Sequence, residues 1–211
     1  MKDNKNNQEW DHEIVPVNSW LKVNLKEIFL FRDLIYLFVK RDFVVFYKQT
    51  ILGPLWYIIQ PVFNTLVFAF VFGTIAQIPT DGMPPFLFYL SGTVVWGYFA
   101  TSFSLTGQVF VTNKEIFGKV YFPRITVPIS IVATSAITFF IQFLIFLSLF
   151  VYYQFQGVDI SFTYNVLFLP VILLQIALLS IGFGMVISAA TAKYRDLVQA
   201  LGFLTQIWMY V

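Results

Sequence analysis

The 13 Lys and Arg, the 11 Asp and Glu and the single His of this 211-residue chain are its candidates for acid–base, nucleophilic or metal chemistry. Their spacing supports none of these. His12 stands alone in a polar tail. Cysteine is absent, which removes thiolate metal sites, redox pairs and a disulfide framework together. The carboxylates are scattered, and only Asp196 lies beside a basic residue at the end of an apolar stretch, so no acid and base are paired for catalysis. Gly118-Lys119 lacks the upstream glycine and the following hydroxyl of a nucleotide phosphate loop. No catalytic residue, no metal ligand and no cofactor are assigned to this chain, and it is not read as an enzyme.

The elements that would position any chemistry are set by hydrocarbon. With 58% hydrophobic and 11% charged residues and a mean hydropathy of +0.76, the chain has too little polar surface to solvate a globule of its length. A span needs roughly 20 predominantly apolar residues at about 1.5 Å rise each. The segments 55–75, 86–104, 125–152 and 166–190 meet that length without one Asp, Glu, Lys, Arg or His. A partial fifth, 199–211, is still apolar at the last residue. The pattern predicts an all-α membrane protein, a polytopic bundle of four complete spans and part of a fifth. A polar tail over 1–20 and an amphipathic interface helix over 21–50 precede a membrane domain over 51–211. The first 24 residues are polar, so no cleavable signal peptide is expected.

Orientation follows from the basic residues, which short exported loops exclude. Eight precede the first span (Lys2, Lys5, Lys22, Lys26, Arg32, Lys40, Arg41, Lys48). Lys114, Lys119 and Arg124 follow the second span, and Lys193 and Arg195 follow the fourth. The loops 76–85 and 154–165 hold only Asp81 and Asp159. A cytoplasmic N-terminus is expected, and the net charge of +2 reflects topology rather than nucleic-acid binding.

Over 21–50, Lys22, Lys26, Asp33, Lys40, Arg41 and Lys48 fall on one helical arc, with Leu25, Ile28, Phe29, Ile35, Leu37, Phe38 and Phe46 expected away from it. That suits a helix lying in the interface, its aromatic side chains toward lipid and its Lys heads near anionic headgroups. A helix packed on a partner domain has the same signature. Gly53-Pro54 then breaks it from the first span. In the loop GQVFVTNKEIFGKVYFPR (107–124), Thr112 or Asn113 is the expected N-cap of a short helix. Lys114 and Glu115 face water, and Phe117, Val120, Tyr121 and Phe122 form an apolar knob ahead of Pro123 and Arg124. Such a knob suits docking into a groove of another protein; a plain interfacial reverse turn is the simpler alternative.

Inside the spans the polar side chains are amides and hydroxyls such as Gln60, Asn64, Gln142 and Gln175, expected to be interhelical hydrogen-bond partners. A proton-coupled carrier, pump or voltage sensor normally keeps an ionisable group at membrane depth. Ion-gradient coupling is thereby disfavoured. The 26 Phe, 11 Tyr and 5 Trp include interfacial belts such as Trp56, Tyr57, Tyr89, Tyr152 and Tyr153. Two stripes could stack pyranose rings: Trp56, Phe63 and Phe70 at seven-residue spacing in the first span, and Phe139, Phe143, Phe146, Phe150 and Tyr153 in the third. Lipid-facing or packing roles compete for each. Ser180, Gly184 and Ser188 make a small-residue ridge for close helix packing, and Pro61 is expected to kink the first span.

Three strings in order, KRDFVVFYKQTILGPLWYIIQP (40–61), KVYFPR (119–124) and KYRDLVQALGFLTQIW (193–208), resemble the membrane subunit of bacterial polysaccharide ABC exporters. That family moves lipid-linked O-antigen, capsular polysaccharide or teichoic acid across the inner membrane. The resemblance implies two permease copies with two nucleotide-binding ATPase subunits, ATP and Mg being held by the partner. It also implies six spans per copy, so that this sequence would stop within the fifth. By the same resemblance, Asn113, Lys114, Glu115, Tyr121, Phe122, Pro123 and Arg124 couple to the ATPase. Lys40, Arg41, Lys48, Tyr194, Arg195 and Asp196 form the cytoplasmic gateway, while Trp56, Phe63, Phe70, Phe139 and Phe143, taken from the two aromatic stripes, are the expected substrate path. The implied partners are membrane lipids and a lipid-linked glycan, with no nucleic acid. A drug or small-lipid exporter of the same superfamily is the alternative, separable by neighbouring glycosyltransferase genes. A non-transport scaffold or ATP-independent flippase is the third class.

Overall fold

The computed structural model describes residues 25–48, 51–158, 160 and 164–210. The expected polar tail, with Lys2, Lys5 and His12, and the first turn of the interface helix with Lys22 lie outside the described residues. Four helical stretches are long and apolar enough to cross a membrane: Gly53–Ile75, Pro85–Gly107, Thr126–Phe155 and Tyr164–Lys193. All the regular structure among the described residues is helical.

The amphipathic segment forms α1 (Leu25–Leu30) and α2 (Arg32–Lys48). Phe31 joins them nearly continuously, accepting from the Ile35 N–H while its own N–H bonds Glu27. Phe31, Leu34 and Phe38, spaced for one helix face, pack inward on Val109, Phe122 and Val127. The opposite face leaves Phe29, Leu30 and Tyr36 exposed, as an interfacial helix requires. Leu37, expected on the apolar side, instead shares the exposed arc with Lys26 and Lys40. At 100° per residue it falls among the charges.

Gly53 takes φ +51°, a left-handed conformation that suits glycine. One 3₁₀ turn, Gly53–Leu55, then leads into α3 (Trp56–Phe68). Pro61 lies inside α3 and is buried; its missing N–H removes the bond that the Tyr57 carbonyl would otherwise accept. The first span ends as a π-helical stretch, Ala69–Ile75, which the hydrophobic pattern does not foretell. A turn with Asp81 and Gly82 at positive φ leads to α4 (Pro85–Gly107), opened by proline in its first turn.

Two short helices, α5 (Val109–Thr112) and α6 (Lys114–Phe117), carry the chain to α7 (Thr126–Phe155). A 3₁₀ turn at Tyr164–Phe168 starts α8 (Leu169–Lys193), and α9 (Asp196–Trp208) follows. Along α7 the hydroxyls of Thr134, Thr138 and Ser148 each donate to the carbonyl four residues back. This satisfies them in hydrocarbon without a second helix.

Helix α4 is central, packing on α3, α7, α8 and α9. Lipid tails give helices little hydrophobic reason to associate, so close packing and interhelical hydrogen bonds must hold the bundle. The expected ridge of α8 supplies both. Ser180, Gly184 and Ser188 are buried, and a Cβ on Gly184 would lie 2.7 Å from the Thr106 side chain. Thr191 Oγ1 donates to the Gly107 carbonyl at 2.7 Å, and the Phe110 N–H donates to Ser188 Oγ at 3.1 Å. Helix α4 also receives α9 through Trp208, which meets Trp96, Phe99 and Phe103. Tyr210 stacks on Phe68 of α3.

Gly184→Ala should therefore lower the thermal unfolding midpoint of the detergent-solubilised protein, at an overpacking cost of about 1–3 kcal/mol. Gly182→Ala, in the same helix with nothing within 4 Å of its added methyl, should be neutral or stabilising. Equal effects from the two substitutions would show that this contact does not hold α8 on α4.

Candidate functional site

Between α3, α4 and α7 lies a cavity of about 470 Å³. Each helix contributes one stripe at helical spacing. Trp56, Gln60 and Asn64 come from α3, and Thr93, Gly97 and Thr101 from α4, each set four residues apart. Val127, Ile131, Thr134, Ser135, Thr138 and Gln142 come from α7. At about 1.5 Å per residue, the α7 stripe covers roughly 22 Å along the helix axis. The cavity thus reaches from the end of the bundle that carries the basic loops well into the hydrocarbon layer.

Its mouth is made of the segments expected to do other work. Arg41 and Asp42 of α2 stand there as an ion pair at 2.7 Å, and Arg41 also covers the Phe38 ring. Thr112 and Asn113, at the junction of α5 and α6, line the same end. Among the lining residues this pair is the only charge. The deeper wall is neutral: amides, hydroxyls and the rings of Trp56, Tyr57, Tyr98 and Phe139. Tyr57 shares a hydrogen bond with Thr138, and Thr65 bonds Thr93 at 3.1 Å.

The structure corrects the expected role of the amides. Gln60, Asn64 and Gln142 line the cavity, and none of their side chains is hydrogen-bonded to another described residue. Gln175 is exposed on α8 and likewise has no such partner. Their repeat on α3, four residues apart in an otherwise apolar span, is the signal that could have marked them as a wall.

The aromatic stripes divide. Trp56 lines the cavity, but Phe63 and Phe70, at 64% and 60% exposure, point out of the bundle. Seven-residue spacing sets residues on one side of a helix without saying what that side meets, and the cavity side of α3 turns out to carry Gln60 and Asn64. On α7, Phe139, Phe143 and Phe146 stack in succession, with Phe139 buried against Tyr98. Only Phe139 of that stripe lines the cavity. Phe143 packs in the core among α4 and α8 residues.

In the loop, Lys114, Glu115, Val120, Tyr121 and Arg124 are exposed, whereas Phe122 is buried against Phe38 and Phe117. The expected knob is therefore reduced to Val120 and Tyr121. Pro123 is half-buried, and its carbonyl accepts from the Thr126 N–H at the start of α7. Arg124 lies over the Phe110 ring. Asn113 does not cap α6 with its side chain; Nδ2 donates instead to the Val109 carbonyl, closing the end of α5. Thr112 is the last residue of α5 and no N-cap.

The gateway residues are not brought together. Lys40, Arg41 and Lys48 ride on α2, which packs on α7, whereas Tyr194, Arg195 and Asp196 form the exposed link from α8 to α9. There Lys193 covers the Tyr194 ring, and Asp196 Oδ1 accepts from the Leu197 N–H.

The profile of the ABC-2 type transporter family matches residues 33–211, from α2 through α9. The chain belongs to that family. As an ABC-2 type protein it is a multi-pass membrane component of a transporter rather than a catalyst. It is 25% identical over 187 residues to the O-antigen export system permease protein RfbA of Myxococcus xanthus, covering 88% of this chain and 69% of that protein. A Klebsiella pneumoniae protein of the same name is 28% identical over 178 residues, covering 84% of this chain and 65% of its own length. The chain thus spans about two thirds of the length of the curated relatives it matches.

Because the ABC-2 chain has no cysteine, single introduced thiols report accessibility directly. Asn64→Cys and Gln142→Cys should react with a water-soluble maleimide in membranes nearly as fast as Tyr121→Cys in the loop. Leu174→Cys, on the exposed apolar side of α8, should stay unlabelled. Silence at both 64 and 142 would mean that the cavity does not admit water.

Proposed function

We propose that this chain is the permease of an ATP-driven exporter of lipid-linked polysaccharide, of the O-antigen, capsule or teichoic acid type, across the bacterial inner membrane. The observation that carries the reading is similarity along 84–88% of the chain to proteins named as O-antigen export permeases. Two physical features support it. The segments 55–75, 86–104, 125–152 and 166–190 contain no Asp, Glu, His, Lys or Arg, so the work of transport has no carboxylate, imidazole or cationic group at membrane depth through which an ion gradient could act. The polar wall facing α3, α4 and α7 is uncharged below its mouth, which suits hydroxyl-rich rather than ionic cargo.

In this reading the N-terminus and the basic loops are cytoplasmic, and two copies of the permease work with two nucleotide-binding subunits that hold ATP and Mg. The loop 112–124 receives the stroke. Val120 and Tyr121 are its free apolar contacts, Lys114 and Glu115 its free charges, and Phe122 anchors it to α2 through Phe38. A push on the loop is then passed to the interface helix and, through Thr112 and Asn113, to the cavity mouth. The gateway residues Lys40, Arg41, Lys48, Tyr194, Arg195 and Asp196 lie at the cytoplasmic face where a lipid-linked glycan would approach.

Reversing both charges, Lys114→Glu with Glu115→Lys, alters exposed side chains and should shift stability by no more than about 0.5 kcal/mol. It should leave the protein in the membrane while cutting surface polysaccharide roughly tenfold or more, within the usual range of coupling between sites. The same is expected for Tyr121→Asp. Normal polysaccharide display by both variants would remove the coupling role of the loop.

A further inference from the structure

We infer that the cavity between α3, α4 and α7 is a binding site within a single permease copy for one neutral glycosyl unit. It rests on the reading of the chain as a glycan exporter and names where that chain would hold part of its cargo.

The wall selects the ligand class by what it offers and by what it lacks. Gln60, Asn64 and Gln142 each present a carbonyl acceptor and an NH₂ donor, and none is taken by another described side chain. A free amide at membrane depth is costly unless something polar meets it. An alkyl chain in the cavity would leave all three unmet. An anionic group would find no free cation among the described lining residues, because Arg41 at the mouth is already paired with Asp42 at 2.7 Å. A pyranose ring answers both requirements: its hydroxyls donate and accept at the amides, and its CH face can lie on an aromatic ring such as Trp56. Neutral polar chemistry combined with an aromatic face is the combination this cavity presents.

Size sets the extent. A volume of about 470 Å³ falls within the range of roughly 300 to 1,000 Å³ typical of small-molecule sites, which has room for a glycosyl unit and excludes a folded polymer. The position also links occupancy to the drive. Thr112 and Asn113 belong both to this wall and to the loop, so a bound ring and a moving loop would meet at the same residues.

Gly97 gives a selective way to close the site. It lines the cavity, and a Cβ added there meets nothing nearer than Gln142 Oε1 at 4.0 Å. A side chain at position 97 therefore grows into the cavity rather than into a packed helix.

The test uses the full-length permease in nanodiscs of phosphatidylethanolamine and phosphatidylglycerol, free of sugar-headed detergents. Saturation-transfer NMR is run with the methyl glycosides of glucose, galactose, mannose and N-acetylglucosamine, and with glucuronate and glucose 1-phosphate as anionic comparators. The expected result is saturable binding of at least one neutral glycoside, lost in Gly97→Leu, weakened in Asn64→Leu and kept in Leu174→Ala. Gly97→Ala, whose single methyl fits, should remain folded and bind more weakly than the parent, so the inference stays testable if the leucine variant does not fold. No saturable neutral binding, unchanged binding in the position 97 and 64 variants, or tighter binding of the anions would overturn it. Gene deletion separates the two claims. Surface polysaccharide lost on deletion but normal in the cavity variants removes this site and leaves the exporter. Polysaccharide unchanged on deletion, with glycoside binding intact and sensitive to position 97, removes the exporter and leaves the site.

Discussion

The close approach of α8 to α4 at Gly184 is the contact on which the described architecture depends. A bilayer offers its helices no hydrophobic reward for pairing, so helices stay together where small residues let backbones and hydroxyls meet. Gly184 leaves room for the Thr106 side chain, Thr191 reaches the Gly107 carbonyl, and Ser188 accepts the Phe110 N–H. Those three contacts fix more than two spans. They hold the start of α5 in place, and α5 ends at Thr112 beside the cavity mouth. The other face of the same loop is held by Phe122 against Phe38, so the loop is clamped between the bundle and the interface helix.

Against that rigid side, the α3 side of α4 is open and polar. The basic residues are confined to one end of the bundle, and the polar side chains deeper in the spans are amides and hydroxyls. A charged group at the bilayer centre costs about 2.5–3.5 kcal/mol on insertion scales, and families that keep one use it for ion coupling or sensing. This chain keeps none in its spans, which gives the division of labour in the proposed function: neutral surfaces for cargo, and mechanical force arriving through the cytoplasmic loop.

The spans were legible because their signal is length, and length is a local property of the sequence. The expected 86–104 and 125–152 became Pro85–Gly107 and Thr126–Phe155, the helices running a turn or so past the hydrocarbon where polar residues still favour helix. The ridge on α8 was legible for a related reason: Gly and Ser four residues apart serve few purposes in a span besides close packing. The direction each face points was not. Trp56 and Phe63 lie seven residues apart on α3 and Phe70 follows in the π-helical end of the span, yet only Trp56 reaches the cavity, because the neighbours that define inside and outside come from α4 and α7. Gln60 and Asn64 looked like hydrogen-bond partners until those helices showed that nothing described reaches them. Phe122 and Tyr121 are adjacent, chemically alike and opposite in burial, a distinction that depends on Phe38 more than eighty residues upstream.

In the proposed function, transport is driven from the cytoplasm by nucleotide hydrolysis and not by an ion gradient through the spans. The most direct measurement is uptake of lipid-linked glycan by inverted membrane vesicles carrying the permease and its ATPase, with ATP regenerated and the membrane potential and proton gradient collapsed by ionophores. Uptake that needs ATP and persists without either gradient is the expected result. Uptake that stops when the gradients collapse while ATP is still present, or that proceeds without ATP, would contradict it.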